Sequence, residues 1–338
     1  MKAIIFTEYG SPDVLQLAEI PKPTPKDNEI LVRVRATPVN YGDLTARDFA
    51  HAEFNMPAPL YLPARLAFGW NKPKVNILGS ELAGDVEAIG KSVTKFRPGD
   101  AVFAYVGMNM GANAEYIRLP ENGMVALKPA NVDYAEAATL PYGAIMAASL
   151  LTKVKLQPGQ KILVNGASGG IGAMAVQLAK QHSGAQVTGV CGAARMEYVK
   201  ALGADKVIDY KKQDFTQSGE PYDVIFDILG RVSFARAKQS LKPEGILLYA
   251  SFKGRALWDM LWTALFSRQK VICSLADEKV ESLELVRRLA ETGKIKAMID
   301  KRFPIEQAAE AHRYIEQGNK QGSVIIHIEQ PNTLKGSL

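Results

Sequence analysis

Between Lys161 and Gly172 the chain reads Lys-Ile-Leu-Val-Asn-Gly-Ala-Ser-Gly-Gly-Ile-Gly, and no other stretch constrains the fold as strongly. A strand, a glycine turn and a helix over 170–181 follow one another directly. Glycines placed just after a strand let the backbone approach a pyrophosphate, and the helix start offers that charge free N–H groups and its positive dipole end. Gly172 permits close packing of helix on strand. The dinucleotide fingerprint GxGxxG is met as Ala167, Ser168, Gly169, Gly170, Ile171 and Gly172, with alanine for the first glycine and Gly166 before it. A bare glycine pattern is weak; the setting of strand, loop and helix separates this one from an ordinary Gly-rich turn.

Strands and helices alternate from Lys161 onward, with strands at 161–165, 186–190, 206–210, 223–227, 245–250 and 270–273. That alternation predicts a doubly wound parallel sheet of six strands. Residues 1–122 read instead as short strands, at 3–6, 29–36, 84–89, 101–105 and 114–119, separated by turns such as Pro21-Lys-Pro-Thr-Pro25 and Arg97-Pro-Gly-Asp100. An Ala-rich helix is expected over 134–151, helices near 278–292 and 305–317, and a strand at 323–328. At 338 residues the chain exceeds the size of one core. The expectation is an α/β protein with a β-rich domain over 1–122 and a nucleotide-binding domain over 123–276.

Hydrophobic residues make up 47% and charged residues 22% of the chain, and no apolar run approaches the roughly 18 to 20 residues of a membrane span. The net charge is +6, but Lys and Arg are dispersed, with no run longer than a pair such as Lys211-Lys212. Nucleic acid binding is therefore not expected. The start of the chain is too short in apolar residues for a secretory signal, and a cytoplasmic location is expected. Cys191 and Cys273 form neither a disulfide framework nor a metal-binding pair.

NAD enzymes place an acid about 20 positions past the loop to grip the ribose 2′-hydroxyl. Here the strand end reads Val190-Cys-Gly-Ala-Ala-Arg195, without a carboxylate. Small residues and Arg195 favour a 2′-phosphate, hence NADPH; the alternative is that Arg195 is a solvated helix residue. Tyr210 is either a lid over the same end of the adenosine or a strand-end aromatic covering core.

From Met1 to Ile326 the chain resembles the medium-chain dehydrogenase/reductase superfamily, in its zinc-free quinone oxidoreductase, zeta-crystallin-like branch. The resemblance is carried by Val39-Asn-Tyr-Gly-Asp43, Leu78-Gly-Ser-Glu-Leu-Ala-Gly84, Val86-Glu-Ala-Ile-Gly90, Phe96-Arg-Pro-Gly-Asp-Ala-Val-Phe103, Ala137-Ala-Thr-Leu-Pro-Tyr-Gly143, the glycine loop and Leu202-Gly-Ala-Asp205. It implies a GroES-like β-rich substrate domain, completed by residues 277–331, a Rossmann domain, a cleft between them, a tail over 332–338, and a homodimer. Zinc-dependent members carry Cys where this chain has Asn40, His where it has Ser80, and Cys near Leu140-Pro141. No zinc is therefore expected. Without that Lewis acid, alcohol oxidation is disfavoured, whereas a quinone or an α,β-unsaturated carbonyl is electrophilic by conjugation and needs alignment and stabilisation of a developing oxyanion.

By the same resemblance, Asn40 lies beside the nicotinamide ribose and the substrate, where its amide donates to an oxyanion; otherwise it is a loop Asn satisfying its own backbone. Tyr41 is either a proton donor or a cleft wall. Asp43 stands with them as a catalytic-site candidate that, like Glu81, orients its neighbours. Thr139 contacts the nicotinamide or caps a helix, and Ser251, at the carboxyl edge of the sheet, faces ligand. The stretches 48–74 and 256–266, both rich in apolar residues, are candidates for a cleft roof or, for the second, a dimer interface. The expected substrate is a small apolar quinone or enone. Competing readings are an enoyl-thioester reductase with a basic entrance at Arg65, Lys72 and Lys74, and a weakly catalytic NADPH-binding protein of crystallin or RNA-binding type.

Overall fold

The computed structural model describes residues 1–49, 58–277, 279–318 and 320–328. The middle of the expected roof, residues 50–57, and the tail at 332–338 lie outside them. The chain begins with β1 (Lys2–Ile5), β2 (Gln16–Glu19), β3 (Glu29–Pro38), α1 (Tyr41–Arg47), α2 (Ala58–Phe68), β4 (Glu81–Ile89), β5 (Ala101–Tyr105), β6 (Tyr116–Pro120) and β7 (Val125–Leu127). Strands β3, β4, β5 and β7 follow one another in a seven-stranded sheet, with β7 at its edge and β6 also paired to β3. β3 carries this sheet because its apolar residues are buried on both faces.

Two helices, α3 (Tyr134–Ala138) and α4 (Pro141–Thr152), stand where a single helix was expected. Pro141 is the cause: without an N–H it cannot continue the hydrogen-bond ladder of α3, but it fits the first turn of a new helix. Beyond them run β8 (Lys161–Asn165), α5 (Gly170–Gln177), β9 (Gln186–Cys191), α6 (Met196–Ala201), β10 (Lys206–Asp209), β11 (Tyr222–Asp227), α7 (Phe234–Ala237), β12 (Leu241–Tyr249), α8 (Gly254–Phe266) and β13 (Lys270–Cys273). α5 is shorter than expected because the chain widens into a π turn at Leu178–His182. The six strands pair in parallel in the order β10, β9, β8, β11, β12, β13, the doubly wound arrangement. Their Val, Ile and Leu side chains are buried because helices cover both faces.

The chain then returns through α9 (Val280–Glu291), β14 (Ile299–Pro304), α10 (Ala308–Glu316) and β15 (Ser323–His327). β15 pairs antiparallel with β3, and β14 adds outside it, so the end of the chain completes the first sheet. Among the described residues, no helix is long and apolar enough to cross a membrane.

Candidate active site

In the six-stranded sheet the strand order reverses between β8 and β11, the position where doubly wound folds bind ligands at the carboxyl ends of strands. Asn165, ending β8, donates from Nδ2 to Asp227 Oδ1 of β11 at 2.8 Å. Asp227 also accepts the N–H groups of Leu229 at 3.2 Å and Val232 at 2.9 Å. The two loops that flank the crevice are thus anchored to each other. A Cβ on Gly172 would lie 2.1 Å from the Gly166 carbonyl oxygen, so only glycine lets α5 approach β8 this closely. Ala167 is buried beneath the turn, Ser168, Gly169 and Ile171 are half-buried, and a Cβ on exposed Gly170 would meet nothing within 4 Å. The start of α5 is accordingly open to an anion.

Arg195 is brought to this loop. Its Nη1 donates to Ser168 Oγ at 3.5 Å, and its Nη2 donates to the Gly318 carbonyl. Lys320 belongs to the same corner, where burial and the Arg195 charge hold its ammonium below the usual lysine value. Sequence reasoning missed Gly318 and Lys320, which reach the loop only because the chain folds back after α10. Tyr210 is exposed and stands by Gly192, where a Cβ would lie 3.5 Å from its ring. Burial pushes the Cys191 thiol up to about 11 and that of Cys273 up to about 12, so neither is an activated nucleophile.

A second cluster forms where α1 meets β4. Asn40 occupies the N-cap position of α1 and forms a capping box with Asp43. Asp43 Oδ2 accepts the Asn40 backbone N–H at 2.8 Å, and Asp43 Oδ1 accepts the Gly79 N–H at 2.8 Å. The Asn40 Nδ2 donates to Glu81 Oε1 and lies 3.4 Å from Ser80 Oγ. Glu81 Oε2 accepts the Tyr142 N–H, one of the unpaired amides in the first turn of α4, at 2.6 Å. Burial raises the Asp43 carboxyl to about 6 and the Glu81 carboxyl to about 8, the latter with help from the Asp43 charge.

Helix α4 joins the two clusters. Tyr142 holds Glu81, and at the next residue a Cβ on Gly143 would lie 2.6 Å from the Gly170 carbonyl oxygen. The Asn40–Glu81 pair is therefore linked through α4 to the end of the glycine loop, at the start of α5. The Thr139 hydroxyl donates to the Glu136 carbonyl at 2.9 Å, the helix-end alternative, and Tyr41 is 69% exposed. The side chain of Asp43 is buried with both oxygens on backbone amides, which opposes direct contact with substrate. Ser251 follows β12 at the carboxyl edge and is half-buried.

The residues at the positions of zinc ligands do not suit that metal. Asn40 offers a neutral amide and Ser80 a neutral hydroxyl, whereas zinc sites are built from thiolate, imidazole and carboxylate. Glu81 supplies the nearest carboxylate, and both its oxygens are engaged by Asn40 and Tyr142. Among the described residues, no group of three His, Cys, Asp or Glu is placed to hold a metal.

Residues 26–129 match the family model described as alcohol dehydrogenase GroES-like domain, and residues 202–326 the one described as zinc-binding dehydrogenase. The chain is 32% identical to the chloroplastic quinone-oxidoreductase homolog of Spinacia oleracea, over 96% of this chain and 98% of that one. It is 30% identical to the chloroplastic NADPH-dependent alkenal/one oxidoreductase of Arabidopsis thaliana, over 97% of this chain and 79% of the relative. The solved quinone oxidoreductase from Coxiella burnetii superposes with a TM-score of 0.81 at 26% identity, covering 97% of this chain and 99% of that structure. Both plant relatives are chloroplastic by name, so the cytoplasmic location expected from the sequence finds no support in them. The first sheet is the GroES-like domain and the second the Rossmann domain, and with likeness running nearly the full length of its relatives, the chain belongs to the medium-chain dehydrogenase/reductase superfamily, in its quinone oxidoreductase branch.

Proposed function

We propose that the protein is an NADPH-dependent, zinc-independent reductase that delivers hydride to a quinone or an α,β-unsaturated carbonyl. The observation that carries this reading is the contact of α4 with both clusters, which links the Asn40–Glu81 pair to the glycine loop through Tyr142 and Gly143. When bound, the dinucleotide supplies the hydride. The protein then has two tasks. The glycine loop and the start of α5 hold the pyrophosphate, while Arg195 and Ser168, with no carboxylate at the end of β9, favour a 2′-phosphate. Asn40 stands to hydrogen-bond the oxygen on which charge develops as the conjugated acceptor is reduced. Asp43 fixes the Asn40 backbone and is a positioning residue, Tyr41 walls the opening, and Thr139, Tyr210 and Ser251 border the cofactor.

The relatives named for quinones and for alkenals and enones support this acceptor class. The enoyl-thioester alternative loses ground, because Arg65 lies over the rings of Phe49 and Trp70 and Lys74 Nζ donates to the Leu66 carbonyl at 2.7 Å. Two of the three cations of its basic entrance are engaged within their own segment. The homodimer is supported by the edge position of β13, next to which α8 leaves Trp258, Leu261, Trp262, Leu265 and Phe266 exposed. Sedimentation of the wild type and of Leu265→Glu measures it: a monomeric wild type overturns the dimer.

The deciding experiment is NADPH consumption with 1,4-benzoquinone, 9,10-phenanthrenequinone, a simple enone and crotonyl-CoA. Turnover with the quinones or the enone is expected. Tight NADPH binding without turnover of any of the four overturns the reductase.

A further inference from the structure

On the proposed reading Asn40 faces the cleft with an amide whose two ends differ in kind, a donor NH₂ and an acceptor carbonyl. Which end faces outward depends on Glu81. The Glu81 carboxyl is buried, and its Oε2 is fixed as an acceptor because the Tyr142 N–H can only donate. Any proton the carboxyl carries therefore resides on Oε1, the atom turned toward Asn40. An ionised Oε1 requires the Asn40 NH₂ in front of it; a protonated Oε1 requires the carbonyl.

Rotation of the amide meets little resistance from the protein. The Asn40 backbone stays anchored by Asp43, and the Asp43 N–H that the Asn40 side chain faces in the capping box keeps the Asn40 backbone carbonyl as a partner, at 3.1 Å, when the amide turns. Ser80 Oγ, the other neighbour, is a hydroxyl that accepts from the NH₂ or donates to the carbonyl equally well. We propose that Glu81 is a positioning residue: as a carboxylate it turns the Asn40 carbonyl toward the cleft, and as a carboxylic acid it turns the Asn40 NH₂ toward the cleft. The proposal rests on the reductase reading for its consequence, since only the outward NH₂ stabilises a developing oxyanion on the acceptor.

The groups facing Glu81 set the range in which this happens. Asp43 comes from α1, Tyr105 from the paired position on β5, and Tyr142 from α4. Among the described residues Asp43 is the formal charge bearing on Glu81, and it is negative. Burial and that charge hold the Glu81 carboxyl at about 8, against the pull of the Tyr142 and Asn40 hydrogen bonds. The acid form prevails at neutral pH, and its proton leaves to solvent as the medium turns alkaline.

Two measurements test this on the full-length protein. With asparagine labelled by ¹⁵N, the Asn40 side-chain amide signals, assigned by their loss in Asn40→Ser, are expected to shift with a midpoint near pH 8 in the wild type. They are expected to hold still in Glu81→Gln, whose NH₂ donates to the Asn40 carbonyl as the acid does. In turnover, the wild-type kcat/KM should fall about tenfold per pH unit above the midpoint. Glu81→Gln should carry the neutral-pH rate into the alkaline range, and Glu81→Ala should lower it throughout. Asn40 signals that ignore pH in the wild type, or an alkaline decline that survives in Glu81→Gln, overturn the proposal. If no acceptor is reduced at all, the reductase reading fails, and the amide titration still decides the role of Glu81.

Discussion

The missing acid after β9 and the nearby guanidinium suggest a 2′-phosphate, and the contact of Arg195 Nη1 with Ser168 Oγ puts the charge on the loop. A charge-assisted hydrogen bond contributes about 1.5–3 kcal/mol. Arg195→Ala is therefore expected to weaken NADPH by about tenfold to a hundredfold while leaving NADH nearly unchanged, as titration of nucleotide fluorescence would show; an unchanged preference would assign the phosphate to another group. Asn40→Ala removes the proposed oxyanion donor, and kcat should fall by about a hundredfold with little change in NADPH affinity. Equal losses in binding and turnover would show Asn40 to be a cofactor ligand only. The Asn40 position was legible because its neighbours form a recurrent motif. Its orientation was not, since that depends on Glu81, 41 residues away in sequence, and on a backbone amide whose partner no pattern reveals.

Elements were legible where local chemistry decides them. β8, β5 and β13 match their expected bounds because apolar runs end at turn residues there. β14 was missed, since Ile299-Asp-Lys-Arg-Phe-Pro304 lacks a two-residue alternation, and it forms a strand through pairing with β15. α1 went unnoticed because the Asn40–Asp43 motif drew attention as a site, although the same Asp43 carboxylate stabilises the helix start. Packing between α4 and α5 is likewise invisible in sequence, yet it yields a direct prediction. In Gly143→Ala the new methyl lies 2.6 Å from the Gly170 carbonyl oxygen, so α4 and α5 must separate. NADPH affinity is expected to fall several-fold and stability by about 1–3 kcal/mol. Denaturant unfolding and nucleotide titration on one preparation read both. A variant that binds and unfolds like the wild type would show the two clusters to be mechanically independent.

At the scale of the whole molecule, the buried groups Asp43, Glu81 and His312 tie folding to protons in opposite senses. Burial raises the Asp43 carboxyl from 3.8 to about 6 and the Glu81 carboxyl from 4.5 to about 8. For both, the folded state holds a proton that the unfolded chain has lost, so their contribution is present at low pH and disappears as pH rises through the folded value. His312 runs the other way. It is buried, its Nδ1 lies 3.2 Å from Arg47 Nη1, and its Nε2 has no hydrogen-bond partner. Burial and then the Arg47 charge lower the imidazole from 6.5 to about 3, so the unfolded chain gains a proton first and stability is lost as pH falls below 6.5. Each group contributes at most about 1.4 kcal/mol per pH unit. Differences between variants isolate them. Relative to wild type, Glu81→Gln should gain stability as pH rises from 4.5 to about 8 and hold that gain above. His312→Gln, whose side-chain oxygen accepts from Arg47 as Nδ1 does, should gain stability as pH falls from 6.5 toward 3. Urea unfolding at unit steps of pH measures both differences. Because the two sites sit on different elements, the double variant should show their sum, and a difference that stays flat with pH would mean that the residue in question is ionised alike in the folded and unfolded chains.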